Sequence, residues 1–200
     1  MNHQPFTPLA LKRRVTTLAV TLLVIAATVS TAGASAETAG TAGGHPIPEA
    51  QAKSLGLTAK QAEALRSEVT SRLAESGGTQ TGVNKIRLDS GAVMLLAVPG
   101  EERARDLDSE AGKRGAAYVC SYGHMCAYSG VNFTGSVIDM YRCQDYPISW
   151  VGRGSWDNNQ ISGTRAKFKD ANGAVGWTSP GAHSTDANAD WTWVYWVRNC

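Results

Sequence analysis

All six Trp, all six Tyr and all four Cys of this 200-residue chain lie between Tyr118 and Cys200. From Phe6 to Tyr118 there is no aromatic residue in between. Aromatic side chains bring the largest burial per residue into a core. The chain therefore divides into two units of different character. The first is rich in Ala, Leu and charge. The second is small, aromatic and Cys-bearing, and it is the expected independent folder and carrier of function.

The N-terminus has the three parts of a secretory signal. Lys12-Arg13-Arg14 is a basic head, Val15 to Val29 is apolar, and Ser30 to Ala36 ends in small residues. Residues 1–36 are read as a signal peptide cleaved after Ala36. A membrane anchor needs about 20 unbroken apolar residues, and Thr16, Thr17, Thr21 and Thr28 interrupt this run. A secreted, extracellular protein with no membrane partner after cleavage is expected. The whole chain carries 19 Lys+Arg and 17 Asp+Glu, a net charge of +2. Residues 1–36 hold three of the basic residues and no acid, which leaves 16 against 17 and a charge of −1. Such a chain has no basic surface to drive nucleic-acid binding.

Four Cys in an exported chain favour two disulfides. Cys120, Cys126, Cys143 and Cys200 admit three pairings, which spacing alone leaves open. Cys120–Cys126 with Cys143–Cys200 is preferred, because the second bridge pins the chain end. Closing a loop of that length contributes about 4 kcal/mol in the chain-entropy view. A zinc site on Cys120, His124 and Cys126 is the rival reading, disfavoured by export.

Residues 37–46 are small and polar and read as a flexible linker. Residues 47–100 read as a small α+β leader or pro-domain. Pro48 to Leu55 form a short helix closed by Gly56. A longer helix starts at the Thr58–Gln61 capping box, with Leu57 and Ala62 as a hydrophobic staple, and Leu65, Val69 and Leu73 form its apolar stripe. A hairpin follows, Lys85–Leu88 returning through Asp89-Ser90-Gly91 into Ala92–Val98. Residues 101–115 are charged and read as an exposed linker, with Lys113-Arg114 as a processing point.

Residues 116–200 read as all-β. Strands are expected at Met125–Tyr128, Ser136–Tyr141, Thr164–Lys169 and Trp191–Val197, and turns recur roughly every ten residues. Regular alternation over 191–197 puts Trp191, Trp193, Tyr195 and Val197 on one face and Trp196 on the other.

Tyr128-Ser-Gly-Val-Asn-Phe133-Thr-Gly135 spaces two rings and a Gly so that the rings can pack in a folded hairpin. This resembles the hairpin signature of βγ-crystallin Greek-key motifs. Trp156-Asp157-Asn158-Asn159-Gln160-Ile161-Ser162 is similar to the loop those motifs use. Taken with the Cys spacing, residues 118–200 resemble the secreted streptomycete metalloproteinase inhibitors. That resemblance implies a βγ-crystallin-like Greek-key sandwich. The second key is degenerate, because Phe168 to Gly176 lacks the second ring and Asp186 to Thr192 lacks the adjacent Asn pair.

The resemblance implies inhibition of an extracellular peptidase of the metallopeptidase class, through a rigid loop. The stretch within Cys120–Cys126 is the expected contact, with Tyr122, His124 and Met125 exposed on it. No enzymatic role is expected: His183, Ser184 and Asp186 are neighbours in sequence without a triad's other signatures. No cofactor is required. Calcium is the open metal question, with Asp157, Asn158, Asn159 and Ser162 as oxygen ligands, joined by Asp186 or Asp190 from the second key, and it would make the module a calcium-stabilised binding or antimicrobial unit. The Trp-rich end suggests a third role, glycan or cell-wall binding.

Overall fold

The computed structural model describes residues 44–200. The signal peptide expected at 1–36, and the linker up to residue 43, lie outside the described residues.

Helix α1 (Glu49–Ser54) leads into α2 (Ala59–Ser76). At the start of α2 the Gln61 N–H donates to Thr58 Oγ1 at 3.2 Å, and the Thr58 N–H donates to Gln61 Oε1 at 3.0 Å. This reciprocal pair satisfies donors that a helix start otherwise leaves bare. Leu65 and Val69 of its stripe are fully buried, and Gly77 ends the helix at φ 68°. Only Gly takes that conformation without strain.

A three-stranded antiparallel meander follows: β1 (Thr79–Gln80), β2 (Lys85–Arg87) and β3 (Val93–Leu95). Residues 101–115, expected as an exposed linker, pack instead over their first half. Ala104 and Leu107 are buried. Arg105 runs beneath the surface, pairing with Glu101 at 2.8 Å and donating to the carbonyls of Gly112 and Leu55 at 2.8 and 3.2 Å. A charge composition reads as solvated, but an Arg paired with a carboxylate and bonded through all three of its side-chain nitrogens can be buried. Helix α3 (Glu110–Lys113) closes this segment, and residues 113–117 are exposed.

The rest is antiparallel β: β4 (His124–Tyr128), β5 (Val137–Met140), β6 (Asp145–Pro147), β7 (Arg153–Asn159), β8 (Lys167–Lys169), β9 (Val175–Thr178), β10 (Ser184–Asp190) and β11 (Trp196–Arg198). The strands form a seven-stranded sheet, β1-β2-β3-β5-β4-β7-β10, and a four-stranded sheet, β6-β11-β8-β9. In each run of four consecutive strands, β4–β7 and β8–β11, the third strand leaves for the other sheet. Thus β6 pairs with β11, and β10 pairs with β7. The molecule is mostly β, with few helices.

The line between the helix-hairpin unit and the aromatic module does not divide the core. Strand β3 pairs with β5, Met94 opposite Ile138. Ile86, Met94 and Leu96 share one buried cluster with Ile138, Met140, Trp156 and Phe168. Neither unit buries its apolar face without the other.

Three strand assignments differ from expectation. Residues 191–197 are not one strand, since Trp191 follows β10 and regular pairing resumes only at Trp196. Residues 157–159, expected in a loop, belong to the long strand β7, and Ser184–Asp190 is also a strand. Both are rich in Asn, Asp, Ser and Thr, which local propensity places in turns; cross-strand pairing overrides that preference.

Candidate functional site

Cys120 and Cys126 are bonded, with Cα atoms 5.9 Å apart, and Cys143 is bonded to Cys200. The first bridge closes a loop whose tip is a tight turn, the His124 N–H donating to the Ser121 carbonyl at 3.1 Å. Gly123 sits third in that turn at φ 87°, a geometry that requires Gly there. The turn leaves Tyr122 at its second position, 68% exposed. Tyr122 is thus held outward on a seven-residue stapled ring.

Three further ties make this loop rigid. The Gly123 N–H donates to the Asn159 carbonyl at 2.7 Å, and Asn159 Nδ2 donates to the Cys120 carbonyl at 2.9 Å. That second bond fixes the amide's orientation, so Asn159 Oδ1 faces His183 Nδ1 at 2.7 Å and accepts a hydrogen bond from it. His183 is exposed, with its ring 6.0 Å from that of Tyr122. Beneath the loop, buried Asp139 of β5 takes the Tyr118 hydroxyl on one oxygen and His124 Nδ1 on the other. Burial, together with the Asp139 carboxylate, pushes the Tyr118 phenol up. The His124 ring in turn packs against Tyr141 at 4.7 Å.

Tyr122, Tyr141, Val119 and Ile161 are among the most exposed large apolar side chains. Of the three contact residues expected on the loop, Tyr122 projects and His124 is half-buried. Met125 is fully buried in the core and has no face to offer a partner. Residue 125 falls on the inward face of β4, a parity that only strand pairing decides.

The hairpin residues meet. The Tyr128 and Phe133 rings lie 5.6 Å apart, edge to face at 83°. Gly135 has φ 75°, and a Cβ there would come 2.2 Å from Ser129 Oγ. Ser155, which the sequence reading passed over, locks this corner: buried, it accepts from the Phe133 N–H at 2.8 Å and donates to the Gly130 carbonyl at 2.7 Å. Phe133 itself is held at φ 60°, rare for a bulky residue.

The four oxygens expected to hold calcium do not converge. Asp157, Asn158 and Asn159 are consecutive in β7, so their side chains alternate between faces. Asn158 is fully buried, donating to the Thr164 carbonyl at 2.9 Å while its oxygen accepts from Gln160 at 2.8 Å. Asn159 is committed to Cys120 and His183, and Ser162 is exposed beyond the strand. Burial raises the Asp157 carboxyl above its usual range. This geometry does not fit a cation among these four groups. The bonded pair Cys120–Cys126 likewise leaves no thiolates for zinc. His183 bonds Asn159 rather than Asp186, so these neighbours make no triad.

Sequence reasoning missed Asp139, Tyr141 and Ser155, and it weighed His183 only as a triad member, not as a partner of the loop. Only the loop's own signals, two Cys bracketing a Gly-bearing turn, were local. No curated protein and no solved structure matches the chain. The segment from the exposed end of α3 through the stapled loop, the aromatic corner and β7, residues 113–162, matches the family model of peptidase inhibitor family I36, the streptomycete metalloproteinase inhibitor type to which its motifs pointed.

Proposed function

We propose that the protein is a secreted inhibitor of an extracellular metallopeptidase, acting through the Cys120–Cys126 loop on a βγ-crystallin-type Greek-key sandwich. The observation that carries this is the coincidence of the family match with the stapled loop. The matched segment encloses the whole ring, and the ring holds Tyr122 68% exposed on a turn with no freedom to collapse. A loop ordered before binding avoids the entropy that a mobile one would lose on contact. Tyr is also the kind of anchor that dominates interface energetics.

The exchange of third strands between β4–β7 and β8–β11 supports the Greek-key reading, as does the Tyr128–Phe133 corner. Two disulfides support an oxidising, extracellular setting. The protein on this reading is a binding protein and not an enzyme. Contact centres on Tyr122, with Tyr141, Val119 and His183 around it and His124 supporting from below.

The test is inhibition of a thermolysin-type peptidase by the full secreted chain and by Tyr122→Ala. The variant is expected to lose about tenfold to a hundredfold in inhibition constant, the cost of truncating a central aromatic anchor, with an unchanged Tm because Tyr122 packs on nothing in the core. Full inhibition by Tyr122→Ala removes the loop mechanism. Absence of inhibition by the wild-type protein at micromolar concentration removes the metallopeptidase reading.

A further inference from the structure

The sandwich has a second worked surface, to which the stapled loop contributes no residue. Strand β9 ends one sheet and β10 ends the other, and a cleft of about 150 Å³ opens between them. Trp177 of β9 and Trp193, in the turn after β10, form its walls. Asp186 and Asp190 of β10 stand at its rim, and Trp156 and Phe168 form the floor.

Each wall is built in place. The Trp177 ring meets Phe168 at 5.0 Å and Trp156 at 5.8 Å, yet 42% of the residue remains exposed. Trp193 is 36% exposed and lies on the backbone of Gly176, where a Cβ would come 2.5 Å from its ring. Gly at 176 is therefore what lets the second ring lie down beside the first. An ordinary core would have covered these indoles; here two neighbouring aromatic side chains keep surface in water.

The polar groups are positioned as well. Asp186 Oδ1 accepts from the Asn188 N–H at 2.8 Å, and Asp190 Oδ1 accepts from Thr192 N–H and Oγ at 3.0 and 2.6 Å. The Thr192 bonds hold the Asp190 carboxyl below its usual range. In both carboxylates the second oxygen makes no hydrogen bond among the described residues, and neither do the indole N–H groups of Trp177 and Trp193. A bulge places Ala187 and Asn188 opposite the single Ser155 and turns this end of β10 away from regular pairing. Arg153, which donates to Asn188 Oδ1 at 2.9 Å, offsets part of the acidic charge.

Flat apolar faces flanked by fixed acceptors and free donors match a molecule with a C–H face and a rim of hydroxyls. We propose that this cleft binds a neutral pyranose saccharide, one sugar ring lying against Trp193 and Trp177 with its hydroxyls on Asp186 and Asp190. A small organic cation would use the π faces and the carboxylates, but it has no use for the indole N–H donors, and Arg153 opposes it. An acidic sugar is disfavoured by the two carboxylates. The site is independent of the stapled loop, so a tethered saccharide and a peptidase could be held at once.

The test titrates the full secreted chain with triacetylchitotriose, with cellotriose and with choline, following tryptophan emission and calorimetry. Saturable binding of at least one saccharide is expected. Trp193→Ala and Asp186→Asn should each weaken it about tenfold and leave peptidase inhibition unchanged. Asp186→Asn keeps the turn acceptor, so it stays informative if Trp193→Ala loses stability. Three results would overturn the proposal: no saccharide binding at about 10 mM, affinities weaker than about −3 kcal/mol being no site; an emission change with choline alone; or unaltered saccharide binding in Asp186→Asn and in a folded Trp193 variant.

Discussion

Strands β5 and β9 hold the same place in their two runs of four. Each is the second strand, each pairs with the first, and each is the outer strand of its run. Their surroundings are opposite. All four residues of β5 are buried, whereas all four of β9 are exposed. The difference comes from outside the module, because β3 of the helix-hairpin unit adds itself to β5 and, among the described residues, no strand adds itself to the outer side of β9. A bare strand edge is a template for unwanted pairing, and proteins cover it or keep it short and irregular. Both solutions occur here: β9 is brief and loses register between Phe168 and Lys169. The covered edge carries Asp139, which anchors the stapled loop, and the bare edge carries Trp177. Coverage of one edge holds the stapled loop's anchor rigid; exposure of the other leaves a cleft.

Removing the cover is the strongest way to break this contrast. A chain beginning at residue 116 loses Leu65, Val69, Ile86, Met94 and Leu96 from the shared cluster, each worth about 1.5–3 kcal/mol. The sum rivals the roughly 5–15 kcal/mol that stabilises a whole domain. The fragment is expected to lose cooperative unfolding or to self-associate through β5, checked by thermal melts and light scattering. A monomeric fragment with the parent's Tm would show that β5 needs no cover. A cut after exposed Arg114, by contrast, leaves the β3–β5 ladder in place, and the two pieces should stay together.

A smaller effect is expected from Asp139→Ala on the covered edge. It removes the acceptor of two charge-assisted bonds, to Tyr118 and His124, and should cost about 3 kcal/mol by denaturant titration. Inhibition should weaken in step, because His124 begins the strand that leaves the loop. Stability loss without any change in inhibition would separate the anchor from the contact surface.

The smallest effect belongs to the bare edge. Val175→Lys on β9, at a residue 51% exposed, should change stability by less than about 0.5 kcal/mol. The matched change Val137→Lys on β5, where the side chain is fully buried, should prevent folding, since an unpaired charge would enter the core. Equal costs at the two positions would mean that β9 is covered after all.

Much of this was legible along the chain wherever the deciding partners sit close together. The Thr58–Gln61 box and the Gly77 stop mark α2 within a turn of its ends. Tyr128, Phe133 and Gly135 announce the aromatic corner within eight positions, and Cys120, Gly123 and Cys126 announce the ring. The coarse all-β character followed from the same punctuation. Met125, assigned outward because its loop projects, points inward because pairing of β4 with β5 and β7 turns its side chain to the core. Asn158-Asn159 looked like a ligating loop, and β7 turned the pair to opposite faces.

Helix caps, turn glycines and ring spacing were decided by the amino-acid order, because their energies are spent between residues a few positions apart. Tertiary structure alone decided that β3 shields β5, that Asp139 reaches Tyr118 and His124, and that Trp177 and Trp193 remain at an open edge. Backbone ladders form between any two extended segments regardless of their side chains. Which segments meet is therefore set by the shared burial of distant apolar residues, a quantity no local window of the chain contains.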